Sequence, residues 1–501
     1  MIFSSIQYLL FLPVVVFLYW RTRGGARLAL VVLASYFFYM SWLPVYGVLL
    51  FALTVINWLL GLALSQGEQP AEVARPTLPR KLLLSAGLLL NLGCLCYYKY
   101  TNFVVENALQ SINWLRSLMP GNVVAPWDAP VLNVILPLGI SFFVFEFVHY
   151  LADVYKGSKP IKSFLEFTAF ASFFPSQIAG PIKRYQDFQL KLQKPEAWSS
   201  PLFFEATALI MQGLFKKVAI ADPIGAVVFH SFNSLSALSA ADACLAAIGF
   251  TAQVYCDFSG YTDIGRGSAL LLGIRLPENF NLPYLSTDLA DFWRRWHMSL
   301  SFWLRDYVYI PLGGSRGGVI VNWRNLFITM VACGLWHGAS WHYVAFGALQ
   351  GIGLIINREY KNLLKRLHRV SALVNTGPGK ALGTVLTMLF ITATYAVFRA
   401  PDMVHAYNLF ASLANLNGPC TLLEPVQKCG VLYFLFVYFC FWIVTELCAR
   451  RPELFALLKD RDQDKKLRFG APLRFASWTA ALVLMLAARP SQAVPFVYFQ
   501  F

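Results

Sequence analysis

Two histidines head the residues able to do chemistry. His337 is the one acidic or basic side chain in LFITMVACGLWHGASW, residues 326–341. A histidine well inside an apolar segment is costly unless it has a partner or a cavity. An imidazole titrates near neutrality and can take a proton from an alcohol as that alcohol attacks an activated carbonyl. The competing reading is a histidine that hydrogen-bonds across helices only for packing. Gly334 and Gly338 form a small-xxx-small pair around His337, and Ser340 lies three residues on. That spacing lets a neighbouring helix come close enough to line a narrow cavity around the ring. His342 is five residues away and off the shared face, which argues against a paired-histidine metal site.

His297 lies upstream in NLPYLSTDLADFWRRWHMSLSFWLRDYVYIPLGGSRGG, residues 281–318. On a helical wheel over 288–308, Phe292, Trp293, Trp296, Leu300, Trp303, Leu304 and Tyr307 share one face. Arg294, Arg295, Arg305 and Asp306 take the other, and His297 falls at the edge beside Trp293 and Leu304. Met298 and Phe302 break the pattern. The stretch predicts an amphipathic helix along the cytoplasmic interface, rich in Trp and Arg. It serves either as an anchor or as a landing surface for an anionic donor.

Other motifs are less pointed. YCDFSGYTDIGRG, residues 255–267, sets Asp257, Ser259, Tyr261, Asp263 and Arg266 beside apolar runs. It fails as a calcium loop, because the twelfth position from Asp257 is Ser268 where a glutamate is needed. The plain expectation is an ion pair that fixes helix ends. PLGGSRGG, residues 311–318, lacks the Lys-Ser/Thr of a phosphate loop, so it reads as a helix-terminating loop, with Arg316 a possible phosphate contact. No Gly-x-Ser-x-Gly elbow is present, which points away from a serine acyl relay. Cysteine spacing gives no pair of zinc half-sites, and no metal is expected.

The elements that must position these residues follow from composition. Of the 501 residues, 57% are hydrophobic and 13% charged, with mean hydropathy +0.54, where a soluble domain has about a quarter charged. Apolar runs near 4–20, 28–43, 46–64, 82–98, 131–152, 203–221, 242–256, 324–341, 342–357, 381–398, 431–448 and 475–488 approach the ~20 residues that cross a bilayer. The start, MIFSSIQYLLFLPVVVFLYW, has no basic leader and reads as a retained first helix. The 41 Lys+Arg against 26 Asp+Glu lie in loops between runs, so they set orientation in the membrane and do not indicate nucleic acid. Arg21, Arg23 and Arg27, then Arg75, Arg80 and Lys81, then Lys156, Lys159 and Lys162, fall on the cytoplasmic side, as do 358–380 and 449–474. Residues 101–129 and 400–430 then lie outside, with both termini. Cys420 and Cys429, in that outer and oxidising 400–430 segment, are candidates for a disulfide.

Taken together, SQIAGPIKRY (176–185), YCDFSGYTDIGRG, LPENFNLPYLSTDLADFWRRWHMSLSFWLRDYVYIPLGG (276–314) and GLWHGASW (334–341) resemble the membrane-bound O-acyltransferases. They stand in that family's order, and the likeness covers roughly residues 1–400. It is greatest to the bacterial branch typified by the alginate O-acetyltransferase membrane subunit. The resemblance implies an all-α polytopic fold with about ten to twelve transmembrane helices plus re-entrant and interfacial ones. These surround a thin centre where cytoplasmic and outer funnels meet at an essential histidine. A single membrane domain over 1–501 is expected, with core motifs in 176–345 and C-terminal helices in 381–501.

The essential histidine matches His337, and a second polar position matches His297. Donor contacts are expected from Asn281, Arg294, Arg295, Trp296, Arg305, Asp306 and Trp336. The resemblance further implies an acyl thioester co-substrate, acetyl-CoA or an acyl carrier, with no bound cofactor. It also implies an extracytoplasmic polysaccharide acceptor, an SGNH-type periplasmic transferase as partner, and a bacterial inner-membrane location. Alginate, cellulose, peptidoglycan and D-alanylated teichoic acid all stay open as acceptor systems. A transporter or flippase without acyl chemistry is the rival class; it would predict inverted repeats, and none is visible in the sequence.

Overall fold

The computed structural model describes residues 1–65, 77–118, 127–128, 132, 134–178, 180–234, 238–416 and 418–423. Within them the chain is helical and has no strand. The order is α1 (Ile6–Arg21), α2 (Gly24–Met40), α3 (Pro44–Leu64), α4 (Leu78–Ser117), α5 (Ile140–Tyr155), α6 (Phe164–Ser172), α7 (Phe174–Gln177), α8 (Tyr185–Gln193) and α9 (Ser200–Leu214). There follow α10 (Asp222–Asn233), α11 (Ala240–Leu271), α12 (Leu289–Arg295), α13 (Met298–Leu304), α14 (Val319–His337), α15 (Trp341–Arg366), α16 (His368–Val374), α17 (Gly377–Arg399) and α18 (Met403–Ala411).

The apolar runs form helices because only a helix satisfies its own backbone polar groups in hydrocarbon. In α1, Ser5 caps the first turn by accepting from the Tyr8 N–H. Its Tyr8, Leu12, Val15 and Tyr19 are buried, while Ile6, Leu10, Val14 and Phe17 are each more than half exposed. An exposed stripe of that kind suits lipid and would be a liability in water. Among the described residues, α3, α4, α14 and α17 are long and apolar enough to cross a membrane. Others are shorter: α1 and α5 have 16 residues, about 24 Å at 1.5 Å per residue. The all-helical membrane architecture agrees with the expectation. One boundary does not. The apolar run read as 82–98 is part of a longer helix, since residues 101–117 continue α4 to 40 residues. That is roughly 60 Å, about twice the hydrocarbon thickness.

The chain forms two compact units, each built from separated stretches. The first comprises Met1–Phe203 and Ser268–Thr387 and holds both histidines of interest. The second comprises Phe204–Gly267 and the described residues from Met388 on. In the second unit a π-helical segment, Phe215–Ala221, joins α9 to α10. It turns Lys216 and Lys217 inward toward α11, where Lys216 pairs with Asp263 at 2.7 Å. Lys217 lies 2.9 Å from Asp257 and 2.7 Å from Asp222. The elements touch closely because a Cβ on Gly213 would sit 2.4 Å from the Gly260 carbonyl oxygen. The expectation that Asp257 and Asp263 fix helix ends is therefore corrected: both lie within α11, each has a partner from the π-helical turn, and Asp263 also lies 3.7 Å from Arg266 one turn on. Ser259 and Tyr261 are buried beside them. Cys420 is exposed, and Cys429 lies outside the described residues.

Candidate active site

The site in the first unit begins with the hairpin of α14 and α15. A Cβ on Gly334 would fall 2.2 Å from the Tyr343 carbonyl oxygen and 3.0 Å from the Gly347 Cα. Glycine alone allows this approach, as the small-residue spacing predicts. His337 is the last residue of α14 and is 7% exposed. Its Nε2 lies 4.0 Å from the Cys333 sulfur one turn back. A helix ends with carbonyls that lack intrahelical partners, and here α4 supplies donors. Tyr100 Oη donates to the Leu335 oxygen, and Lys99 Nζ donates to the oxygens of Trp336 and, at 2.8 Å, of His337. Beyond the turn, Ser340 Oγ lies 2.9 Å from His342 Nδ1, so His342 is engaged apart from His337.

Trp336 connects the two histidines. Its indole centroid is 4.8 Å from the His337 ring and 6.0 Å from the His297 ring, edge-on to each. Phe145 of α5 stacks on the same indole at 5.5 Å. Phe145 in turn lies flat on Trp303, with centroids 3.8 Å apart, and its carbonyl oxygen accepts the Trp303 indole N–H at 3.0 Å. Aromatic pairs of this kind add about 0.5–1.5 kcal/mol beyond area burial. They make one wall of fixed rings around the imidazoles.

His297 does not sit on a continuous helix, which corrects the wheel over 288–308. The chain leaves α12 at Trp296, turns through His297 with φ 40°, and starts again as α13. Asp288 caps α12 through the Asp291 N–H and pairs with Lys361 of α15 at 2.8 Å. His297 caps α13 by accepting the Leu300 N–H on Nδ1 at 3.2 Å. The break is held by Asn279. Its main-chain oxygen accepts the Met298 N–H, and its Oδ1 accepts from the Ser299 hydroxyl at 2.7 Å. Ser299 Oγ also accepts the Ile182 N–H, tying in the SQIAGPIKRY stretch. His297 is 1% exposed. Burial pushes its pKa down to about 3, so the ring is neutral at ordinary pH.

The expected donor contacts separate into two groups. Trp296 is buried, stacked on Phe292 at 5.6 Å and Tyr284 at 6.1 Å, and Trp336 belongs to the histidine wall. Arg294, Arg295, Arg305 and Asp306 lie toward the surface. Arg295 is bonded to Asp291 at 2.9 Å, and the exposed Asn281 gives its N–H to the Arg295 oxygen. Asp306 pairs with Arg305 and Arg184. Burial acts to raise its pKa, but the hydrogen bonds from the two guanidiniums prevail and hold the carboxyl below its ordinary range. No cluster of metal-ligating side chains occurs among the described residues. Lys99, Tyr100, Phe145, Asn279 and Ser299 belong to this site without having been expected from the sequence. A lysine at the edge of an apolar run was the one available signal.

Residues 84–397, which include the hairpin and both histidines, match the membrane-bound O-acyltransferase family model, and the chain belongs to that family. It is an O-acyltransferase of the membrane. At 39% identity over 419 residues, 83% of this chain and 79% of the relative, it is similar to a probable alginate O-acetylase of Azotobacter vinelandii. A peptidoglycan O-acetyltransferase of Helicobacter pylori is 33% identical, covering 77% of this chain and 73% of that protein. A teichoic acid D-alanyltransferase of Streptococcus thermophilus is 30% identical over 52% of this chain and 68% of its own.

Proposed function

We propose that this protein moves an acetyl group from a cytoplasmic thioester, acetyl-CoA or an acyl carrier, toward hydroxyls of an extracytoplasmic polysaccharide of the alginate type. Support for that acceptor comes from the alginate O-acetylases, which align over more of the chain and at higher identity than the peptidoglycan and teichoic acid relatives. In this scheme His337 takes the proton of the attacking hydroxyl. The new C–O bond forms at the thioester carbonyl, the C–S bond breaks, and the imidazolium returns its proton to the leaving thiolate. His297, neutral and fixed by its cap, positions the reacting groups. Asn281, Arg294, Arg295, Arg305 and Asp306 receive the donor, and Trp296 and Trp336 shape its path. The protein lies in the bacterial inner membrane with its N-terminus outside, consistent with Arg21, Arg23 and Arg27 after the first helix. An SGNH-type periplasmic transferase is its partner at the glycan.

The observation that carries this reading is His337 at the buried end of α14, packed on Trp336 with His297 on the same indole. The test is His337→Ala, scored by acetyl content of secreted polysaccharide and by acetyl-CoA consumption in membranes. Loss of a general base costs about 10²–10⁴-fold. Wild-type acetylation by a normally inserted variant would refute the mechanism.

A further inference from the structure

We infer that Lys99, on the far half of α4, is a positioning residue for His337. The inference rests on His337 being the group that takes the acceptor's proton.

The last carbonyls of α14 lack intrahelical partners, and Trp336 and His337 are buried, so donors from a neighbouring helix stabilise them. Three consecutive ones receive donors from two adjacent residues. Tyr100 Oη reaches the Leu335 oxygen at 2.5 Å, and Lys99 Nζ reaches both the Trp336 and His337 oxygens. A lysine Nζ carries at least two N–H groups on one atom, and three as the ammonium. It can therefore hold two successive carbonyls in register, which a hydroxyl with one proton cannot. Its charge suits the negative end of a helix, and it lies 6.0 Å from the centroid of the Trp336 ring.

The same face of α4 continues the grip. One turn beyond Lys99, the Phe103 ring is 5.7 Å from Trp341, and one turn further Asn107 Oδ1 accepts the Trp341 indole N–H at 2.8 Å. Residues 99, 103 and 107 are spaced by four and so line one stripe of the helix. Together they hold the chain on both sides of the 338–340 turn, with His337 at one edge. Gly338 cannot carry a side chain there, because a Cβ would lie 2.1 Å from the Tyr343 ring. The turn thus has little room for a bulkier residue that would stiffen it from within. Lys99 is half-buried at the edge of an apolar run, and fixing the backbone of residues 336 and 337 is a reason to place its Nζ there.

The test measures release of free coenzyme A from acetyl-CoA by the full-length protein, comparing Lys99→Met, Lys99→Arg and His337→Ala. Misplacing a reacting group by about 1 Å costs on the order of 10²-fold. Lys99→Met is therefore expected to lower kcat by about tenfold or more while leaving KM for acetyl-CoA within about twofold. Lys99→Arg, which keeps charge and several donors, is expected to regain most of that loss. Should Lys99→Met not accumulate, Lys99→Gln takes its place with the same expectations. Wild-type kcat, a change in KM alone, or an arginine variant no better than methionine would each overturn the inference. If His337→Ala is inactive while Lys99→Met is normal, only the positioning role fails. If His337→Ala is itself active, the reading of the site fails.

Discussion

The Nδ1 of His297 accepts the backbone N–H of Leu300 at 3.2 Å, in a residue whose own backbone is left-handed at φ 40°. Accepting on Nδ1 leaves the ring proton on Nε2, so the cap fixes the tautomer as well as the orientation. A side chain with a Cβ seldom adopts this conformation; Asn, Asp and His do so more often than others.

This separates two substitutions. His297→Asn keeps an N-capping oxygen and tolerates the backbone, so it should melt close to wild type in detergent while losing some turnover. His297→Ala loses the cap, about 0.5–2 kcal/mol, and strains the turn. It should melt distinctly lower. Equal melting of the two variants would show that the cap does not hold α13.

A pH effect follows from the same ring. Its pKa is about 3 in the folded protein against 6.5 as the ordinary value, because burial disfavours the cation. The unfolded chain binds this proton first as pH falls. The stabilising effect of keeping the ring neutral is thus full above about pH 6.5 and is lost progressively toward pH 3, by up to about 1.4 kcal/mol per pH unit. Replacing His297 with Asn should flatten the acid side of the stability curve by up to one proton. An unchanged slope between pH 4 and 6, about the middle of that window, would contradict the assignment.

How much of this was legible in the sequence differs by residue. His337 was, because an ionisable group in an apolar run and a glycine pair around it are local signals. The fracture at His297 was not. No Gly or Pro marks it, and the turn is held by Asn279 and Ser299, a reach of 20 residues that no helical period reports. Asp257 and Asp263 were visible as charges, but Lys216 and Lys217 face them only because the Phe215–Ala221 segment is π-helical. Lys99 was hidden by position: at the edge of an apolar run, a lysine ordinarily marks the end of a span.

Gly334 offers a steric test of the hairpin. Gly334→Ala drives a methyl into the backbone of α15, at 2.2 Å from the Tyr343 oxygen. Overpacking of this kind costs about 1–3 kcal/mol, and here it also displaces His337 one turn on. Turnover should fall along with thermal stability. Gly93→Ala is the control, since nothing lies within 4 Å of its Cβ position. An alanine in mid-helix should there be neutral or mildly stabilising. If both variants behave alike, α14 and α15 are not in the contact described.

Arg305 tests donor capture. Its side chain is 55% exposed and bonds Asp306 at 2.7 Å. Exposed charges act on a ligand through a field that salt screens within about 10 Å at 0.1 M. Arg305→Gln should raise KM for acetyl-CoA several-fold, on the order of 2–5, and leave kcat unchanged. The variant's KM should also climb less steeply with added salt. A fall in kcat at saturating acetyl-CoA with constant KM would move Arg305 out of the donor site.

The last test concerns the charges of the second unit. Lys217 is 1% exposed and stands between two carboxylates, Asp222 at 2.7 Å and Asp257 at 2.9 Å. Removing one member of a buried ionic group strands the others without compensation, at about 3–5 kcal/mol, whereas replacing the whole group with neutral residues is often tolerated. Lys217→Met should therefore fail to accumulate in the membrane or should melt far below wild type. Adding Asp222→Asn and Asp257→Asn to Lys217→Met removes both negative charges while nearly preserving the side chains' shape. The triple variant should recover much of the lost stability, read as melting temperature and as protein per membrane area. A single Lys217→Met variant as stable as wild type would show that the triad does not hold the π-helical turn against α11. A triple variant no better than the single one would show that the lysine, and not the neutrality of the group, is what the turn requires.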